Sequence, residues 1–233
     1  MRQHQRIKTA AMAVFMAIAM LFAGHSSARE LYGIDDMADL PIAGIKAIQS
    51  NGEIMFISEN GRFVIKGELY DMWYKTRHTD MAAMRELTDR LQIERMDIDF
   101  NELNAVTVGS GSKEVVAFID PRCGYCHGLV QDAYSLVDEY TFRFVFISLL
   151  GKESADLNRY VSCAKERDAI MPAFLTDSLE ELEQRKSCDS DRLIQSAATA
   201  KVLGIKGVPY IVSPSGRQHY MRPANLRAWL AQR

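Results

Sequence analysis

Val115-Val116-Ala117-Phe118-Ile119-Asp120-Pro121-Arg122-Cys123-Gly124-Tyr125-Cys126-His127 is the most informative stretch of this chain. An unbroken apolar, β-branched run marks a strand buried on both faces, and Asp120-Pro121 ends it. From Gly124 a helical period takes over, with Leu129, Ala133, Leu136, Val137 and Tyr140 on one face, which predicts a helix over 124–140. Cys123 therefore stands at a helix N-terminus, where unpaired N–H groups and the positive end of the macrodipole favour thiolate over thiol. Cys126, three residues on, shares its face and can close a disulfide with it. Cys123 is the expected nucleophile, Cys126 the resolving thiol, and Gly124 and Tyr125 set the geometry of the turn.

Magnitudes limit what the helix can do alone. A free thiol with pKa ~8.5 is only about 3% ionised at pH 7. Lowering it to near 5 takes roughly 5 kcal/mol, and the dipole supplies at most ~2 kcal/mol. Amide hydrogen bonds to sulfur and nearby cations must provide the rest, and Arg122 and His127 are the adjacent candidates.

The same residues admit other chemistry. A Cys-x-x-Cys can be half a zinc site, but the other two cysteines, Cys163 and Cys188, are single and far apart, which fits no compact zinc pattern; no metal is expected. It can be an inert bridge, although its strand-to-helix placement argues otherwise. His127 completes C-x-x-C-H, so a c-type haem carrier with His127 and a methionine as axial ligands is an alternative function.

Outward from this stretch, the segment from Ala105 reads as an α/β alternation. Strands are expected at Ala105–Val108, Val115–Ile119 and Phe142–Leu150. A helical insert is expected over 154–203, N-capped at Ser154 and Asp189 and stopped by Gly204. Strands at Tyr210–Val212 and about Arg217–Met221 turn at Ser215-Gly216, and Pro223 opens a last helix. This order implies a mixed sheet flanked by helices, an α/β (α+β) fold. Val208-Pro209 stands directly before the strand at Tyr210, where proline is awkward except at its start. A cis bond there would turn the Val208 backbone outward to pair with an extended peptide beside the reactive sulfur.

Toward the N-terminus, Ile42–Ser50, Glu53–Glu59 and Arg62–Tyr70 read as a three-stranded meander turning at Asn51-Gly52 and Asn60-Gly61, each suited to a type I′ hairpin. Such a sheet is too small to stand alone and must pack on another element or a second copy. From Thr79 a helix is expected, capped by Thr79 or Asp80, with Met84, Leu87 and Leu91 on one face and the i,i+4 pairs Arg85/Asp89 and Glu86/Arg90 on another.

Arg2, Arg6 and Lys8 precede an uncharged run from Ala10 to Ala23, with Ser26, Ser27 and Ala28 behind it: the pattern of a secretory signal cleaved after about Ala28. Export sets an oxidising compartment. The whole chain has 233 residues, is 48% hydrophobic and 25% charged, and carries a formal net charge of −2. Those proportions exclude a disordered, collagenous or polytopic membrane protein, and no basic block suggests nucleic acid as a partner.

The CGYCH motif, GVPY at 207–210 and the meander ahead of them resemble the DsbC/DsbG group of periplasmic disulfide isomerases, from about Pro41 to the C-terminus. The resemblance implies a dimerisation domain over 29–71, a linker helix over 72–104 and a thioredoxin-like catalytic domain over 105–233. It implies a homodimer acting on misfolded exported proteins, no cofactor beyond the redox pair, and a membrane reductase of the DsbD type that keeps Cys123 and Cys126 reduced. Val208 and Pro209 become substrate contacts. Cys163 and Cys188 match the place of a structural disulfide, whose loop would stabilise by about 3.5 kcal/mol. Valine at 208 is what DsbA-type oxidases carry, whereas the isomerases usually have threonine, so an oxidase is a further alternative; a non-catalytic chaperone is another.

Overall fold

The computed structural model describes residues 33–188 and 190–232, and the expected signal segment and the Asp189 cap lie outside them. The chain divides into two units. One runs through Asp71 and takes in Thr76–Thr88; the other holds Met72–Lys75 and everything from Asp89 onward.

The first unit is an antiparallel sheet of β1 (Asp36–Asp39), β2 (Ile45–Ser50), β3 (Glu53–Ser58) and β4 (Val64–Lys66), in that order. Ser50 pairs with Glu53 across Asn51-Gly52, both at positive φ, which is the expected two-residue hairpin. At the second turn the structure differs. Ser58 bonds Phe63, so Glu59–Arg62 form a four-residue loop in which Asn60 Oδ1 accepts from Ser58 Oγ and the Arg62 amide. The third expected strand is also broken. Gly67, at φ +151°, separates β4 from β5 (Leu69–Asp71), which pairs instead with β6 (Thr76–His78). Strand β1 is not predicted by the sequence, because Asp-Met-Ala-Asp lacks strand-forming side chains; it exists through its register with β2.

Only Met81–Asp89 (α1) of the expected 72–104 linker is α-helical, with Asp80 Oδ1 accepting from the Ala83 amide at 2.8 Å as its cap. Its buried Met81 and Met84 pack with Ala38, Leu40, Ala47 and Phe56. Arg85 forms its ion pair with Asp36 of β1.

The second unit is a five-stranded mixed sheet, ordered β11 (Gln218–Tyr220), β10 (Tyr210–Val212), β8 (Lys113–Ile119), β9 (Tyr140–Phe146), β7 (Ala105–Val108). Only β8 and β9 run parallel, joined by α2 (Gly124–Tyr134). Side chains alternate across β8. Val115, Ala117 and Ile119 join a core with Phe142, Phe144 and Phe146 under α2, while Val116 and Phe118 join Val145, Tyr210 and Val212 on the other face. Gly109 and Gly111 lie where β7 turns into β8 because the 139–140 backbone passes there; a Cβ on Gly111 would sit 2.0 Å from the Glu139 carbonyl carbon.

Helix α2 ends six residues earlier than expected, at Tyr134, since Tyr140 already belongs to β9. The helical insert is α3 (Lys152–Cys163), α4 (Ile170–Leu175) and α5 (Asp191–Val202), with short 3-10 turns at Arg167–Ala169 and Leu179–Glu181. Gly151 occupies the cap position of α3, so Ser154 lies inside its first turn. The last helix, α6 (Leu226–Leu230), is capped by Asn225 Oδ1 on the Ala228 amide, not opened by Pro223.

Candidate active site

Strand β8 delivers the chain to Asp120, a residue with no exposed surface whose carboxylate organises the surrounding loops. Its Oδ1 accepts from the Arg122 amide (2.8 Å) and Ser154 Oγ (2.6 Å), and its Oδ2 from the amides of Leu149 (2.7 Å) and Leu150 (3.0 Å). Four donors satisfy both oxygens, so one buried carboxylate ties the loop before Cys123 to the loop after β9 and to α3. In the sequence Asp120 reads only as a strand end and Ser154 only as a cap. The available signal is an acidic residue next to a buried apolar run, which is costly there unless paired.

Cys123 is the N-cap of α2. Its backbone is extended (φ −89°, ψ 105°) and its sulfur accepts from the Cys126 amide at 3.3 Å, the place a Ser, Thr, Asp or Asn oxygen usually takes. Cys126 is fully buried one turn further on, and both are free thiols. The neighbouring Cys126 side chain, followed by the amides of Cys126 and Tyr125, lowers the Cys123 pKa to about 7, against burial and the charge of Asp120. Burial first, and then the hydrogen bond shared with Cys123, pushes the Cys126 thiol up. The two sulfurs differ in role because one meets donors and the other meets the core.

The two expected cations act elsewhere. Arg122 Nε lies 3.2 Å from Glu153 Oε2. His127 packs against Phe174, with ring centroids 4.0 Å apart and planes tilted by 42°, while its Nε2 is 3.3 Å from the Pro121 carbonyl oxygen and 3.7 Å from Asp177 Oδ1. Adjacency in sequence is no guide here, because one residue around a helix turns a side chain by about 100°. Gly124 has open space where a Cβ would be, and Tyr125 is exposed.

Val208-Pro209 is cis, and its neighbourhood is set by sheet register. Tyr210 pairs with Phe118, so the antiparallel run of β10 brings the residues before it against those that come after β8. The Cys123 thiol thereby comes within 3.6 Å of the Val208 carbonyl oxygen, across 85 positions of sequence, while Pro209 O accepts from the Met221 amide at 2.8 Å. Cys163 and Cys188 are joined as a disulfide, flanked by Arg185 N donating to Cys163 O at 2.9 Å.

This arrangement can exchange sulfur for sulfur. It does not suit covalent haem: Cys126 has no exposed surface for a thioether link, and the His127 ring is committed to Phe174 and Pro121.

Comparison with known proteins agrees. The disulfide bond isomerase N-terminal domain matches residues 29–83, and the thioredoxin-like domain matches residues 100–233. The thiol:disulfide interchange protein DsbC of Haemophilus influenzae is 24% identical over 80% of this chain and 79% of its own length. That of Escherichia coli K12 is 24% identical over 84% and 80%. That of Salmonella typhimurium is 24% identical over 93% of each. Among solved structures, a disulfide interchange protein from Neisseria gonorrhoeae aligns with 57% of this chain and 96% of its own at 18% identity and a TM-score of 0.47. With a match over more than half of its length, and a Cys-x-x-Cys pair at the first helix of that domain, this chain belongs to the thioredoxin-like family; ahead of that domain it carries a disulfide isomerase N-terminal domain, and it is similar to the DsbC thiol:disulfide interchange proteins over most of its length.

Proposed function

We propose that the chain works in the periplasm mainly as an isomerase and reductase of mispaired exported proteins, with Cys123 as nucleophile and Cys126 as resolving thiol. The thiolate of Cys123 attacks one sulfur of a substrate disulfide, forming a mixed disulfide and releasing the other sulfur as a substrate thiolate. If a substrate thiolate then attacks the mixed disulfide, Cys123 leaves unchanged and the substrate has been rearranged with no net electron transfer. If Cys126 attacks, the substrate leaves reduced and Cys123–Cys126 becomes the disulfide, with two electrons passed to the substrate. Cys126 loses its proton only in that second case, which suits a thiol kept protonated by burial.

The observation that carries this reading is the contrast at the pair. Cys123 is lowered to about 7 beside the Val208 carbonyl, while Cys126 is held protonated in the core. Val208 and Pro209 present main chain to the substrate next to the reacting sulfur, and the exposed Leu149 and Leu150, anchored to Asp120, offer an apolar contact. The redox pair serves in place of any cofactor. A membrane reductase of the DsbD type returns it to the dithiol, and two copies pair through the N-terminal domain.

Insulin reduction and refolding of scrambled ribonuclease test the assignment. Cys123→Ala abolishes both, and Cys126→Ala accumulates mixed disulfides with clients. Full activity in Cys123→Ala overturns it. A pair recovered mostly oxidised from the periplasm points to an oxidase instead.

A further inference from the structure

A cavity of about 280 Å³ opens beside the edge strand β7, with Arg143, Arg167 and Arg192 among the residues lining it. These arginines come from β9, the 3-10 turn after α3 and the first turn of α5, so only the tertiary fold collects them. Arg143 is already engaged: its Nε is 2.8 Å from Glu114 Oε2, its Nη1 3.4 Å from Thr107 Oγ1, and its guanidinium lies over the Phe100 ring. Arg167 is not satisfied. Its Nη2 donates to the Ala105 carbonyl, but its Nη1 is buried and has no hydrogen-bond partner among the described residues. Asp168 is the single acidic side chain among those lining the cavity.

A guanidinium donor buried without a partner is expensive, and like charges beside it raise the cost. Burial, and then the neighbouring Arg192 and Arg185, hold the Arg167 pKa down to about 10, so it remains a cation at neutral pH. The missing partner is an acceptor carrying negative charge. Guanidinium forks recognise carboxylate and phosphate alike. Arginines that line one cavity from three separate elements suit a tetrahedral oxyanion better than a planar carboxylate, because its oxygens point in more than one plane.

We propose that this cavity is a binding site for a phosphate group on a small soluble molecule, with Arg167 Nη1 and Arg192 as the principal donors and Arg143 as a supporting charge. The site lies by β7, separated from β8 and its Cys123 turn by β9, so it is a second site and does not depend on the redox reading.

The test uses inorganic phosphate as the probe on the full protein, with thermal unfolding followed at constant ionic strength. Phosphate raises the unfolding midpoint in a saturable way and acetate does not. Arg192→Gln and Arg167→Gln each remove that response. ³¹P line broadening of phosphate, present with the wild type and lost in Arg192→Gln, gives a readout independent of folding, and retained insulin reduction certifies that the variant is folded. No phosphate response beyond that of chloride, an equal response to acetate, or a response only to phosphatidylglycerol vesicles and not to the free ion overturns the proposal.

Discussion

The Cys123 thiol and the Val208 carbonyl oxygen face each other at 3.6 Å although 85 positions of chain separate them. One closes the turn after β8 and the other precedes β10, and the Tyr210–Phe118 register between those strands places them together.

Alkylation of Cys123 tracks its ionisation. With the pKa lowered to about 7, about half of the thiol is ionised at pH 7 against roughly 3% for an ordinary one. Iodoacetamide reactivity of the reduced protein is expected to reach half its plateau near pH 7. The same shift enters stability. A thiol depressed on folding contributes stability that is fully present above its unfolded pKa and is lost as pH falls through 7. The reduced protein therefore gains stability between about pH 7 and 8.5; beyond that range the raised Cys126 works the other way. Urea unfolding of the dithiol form across this range measures it.

Replacing His127 by Ala separates sequence adjacency from contact. The ring sits on Phe174, so the change is expected to cost about 1 kcal/mol of stability. The alkylation midpoint of Cys123 stays where it is, because the groups that lower it are Cys126 and the amides of Cys126 and Tyr125. A rise of that midpoint toward the ordinary thiol value would show His127 acting on the sulfur.

Asp120→Asn puts an amide where four donors converge. At least one donor is left facing another, a loss of about 3 kcal/mol. The charge of Asp120 also opposes ionisation of Cys123, so its removal lowers the alkylation midpoint further. Lower stability together with a lower midpoint is the expected signature, read by urea unfolding and by the alkylation profile.

Changing both Cys163 and Cys188 to Ala opens a loop spanning 25 positions. The expected cost is about 3.5 kcal/mol by loop-closure entropy, with Cys123 reactivity unchanged. Denaturant midpoints of the wild type and the double variant decide this.

Much of the molecule is legible without its tertiary contacts. The apolar run into Cys123 specifies a buried strand, the period after Gly124 a helix, and Asn51-Gly52 a hairpin, because each is written in the local order of side-chain types along the chain. Strand β1 is invisible at that level, since its four residues are extended only by pairing with β2. The end of α2 is likewise hidden, because Tyr140 has the helical spacing yet is drawn into β9 by its pairing with Lys113.

The pair of cysteines, their order of reactivity and the expectation of export come from sequence, because helix termini and export signals are local properties. What sets the sulfur's acidity does not. The burial of Cys126, the anchoring by Asp120 and the departure of Arg122 and His127 to Glu153 and Phe174 depend on which distant groups the packed sheet and helices bring within a few ångströms. Desolvation and hydrogen bonding act at that range, and neighbours along the chain do not specify it.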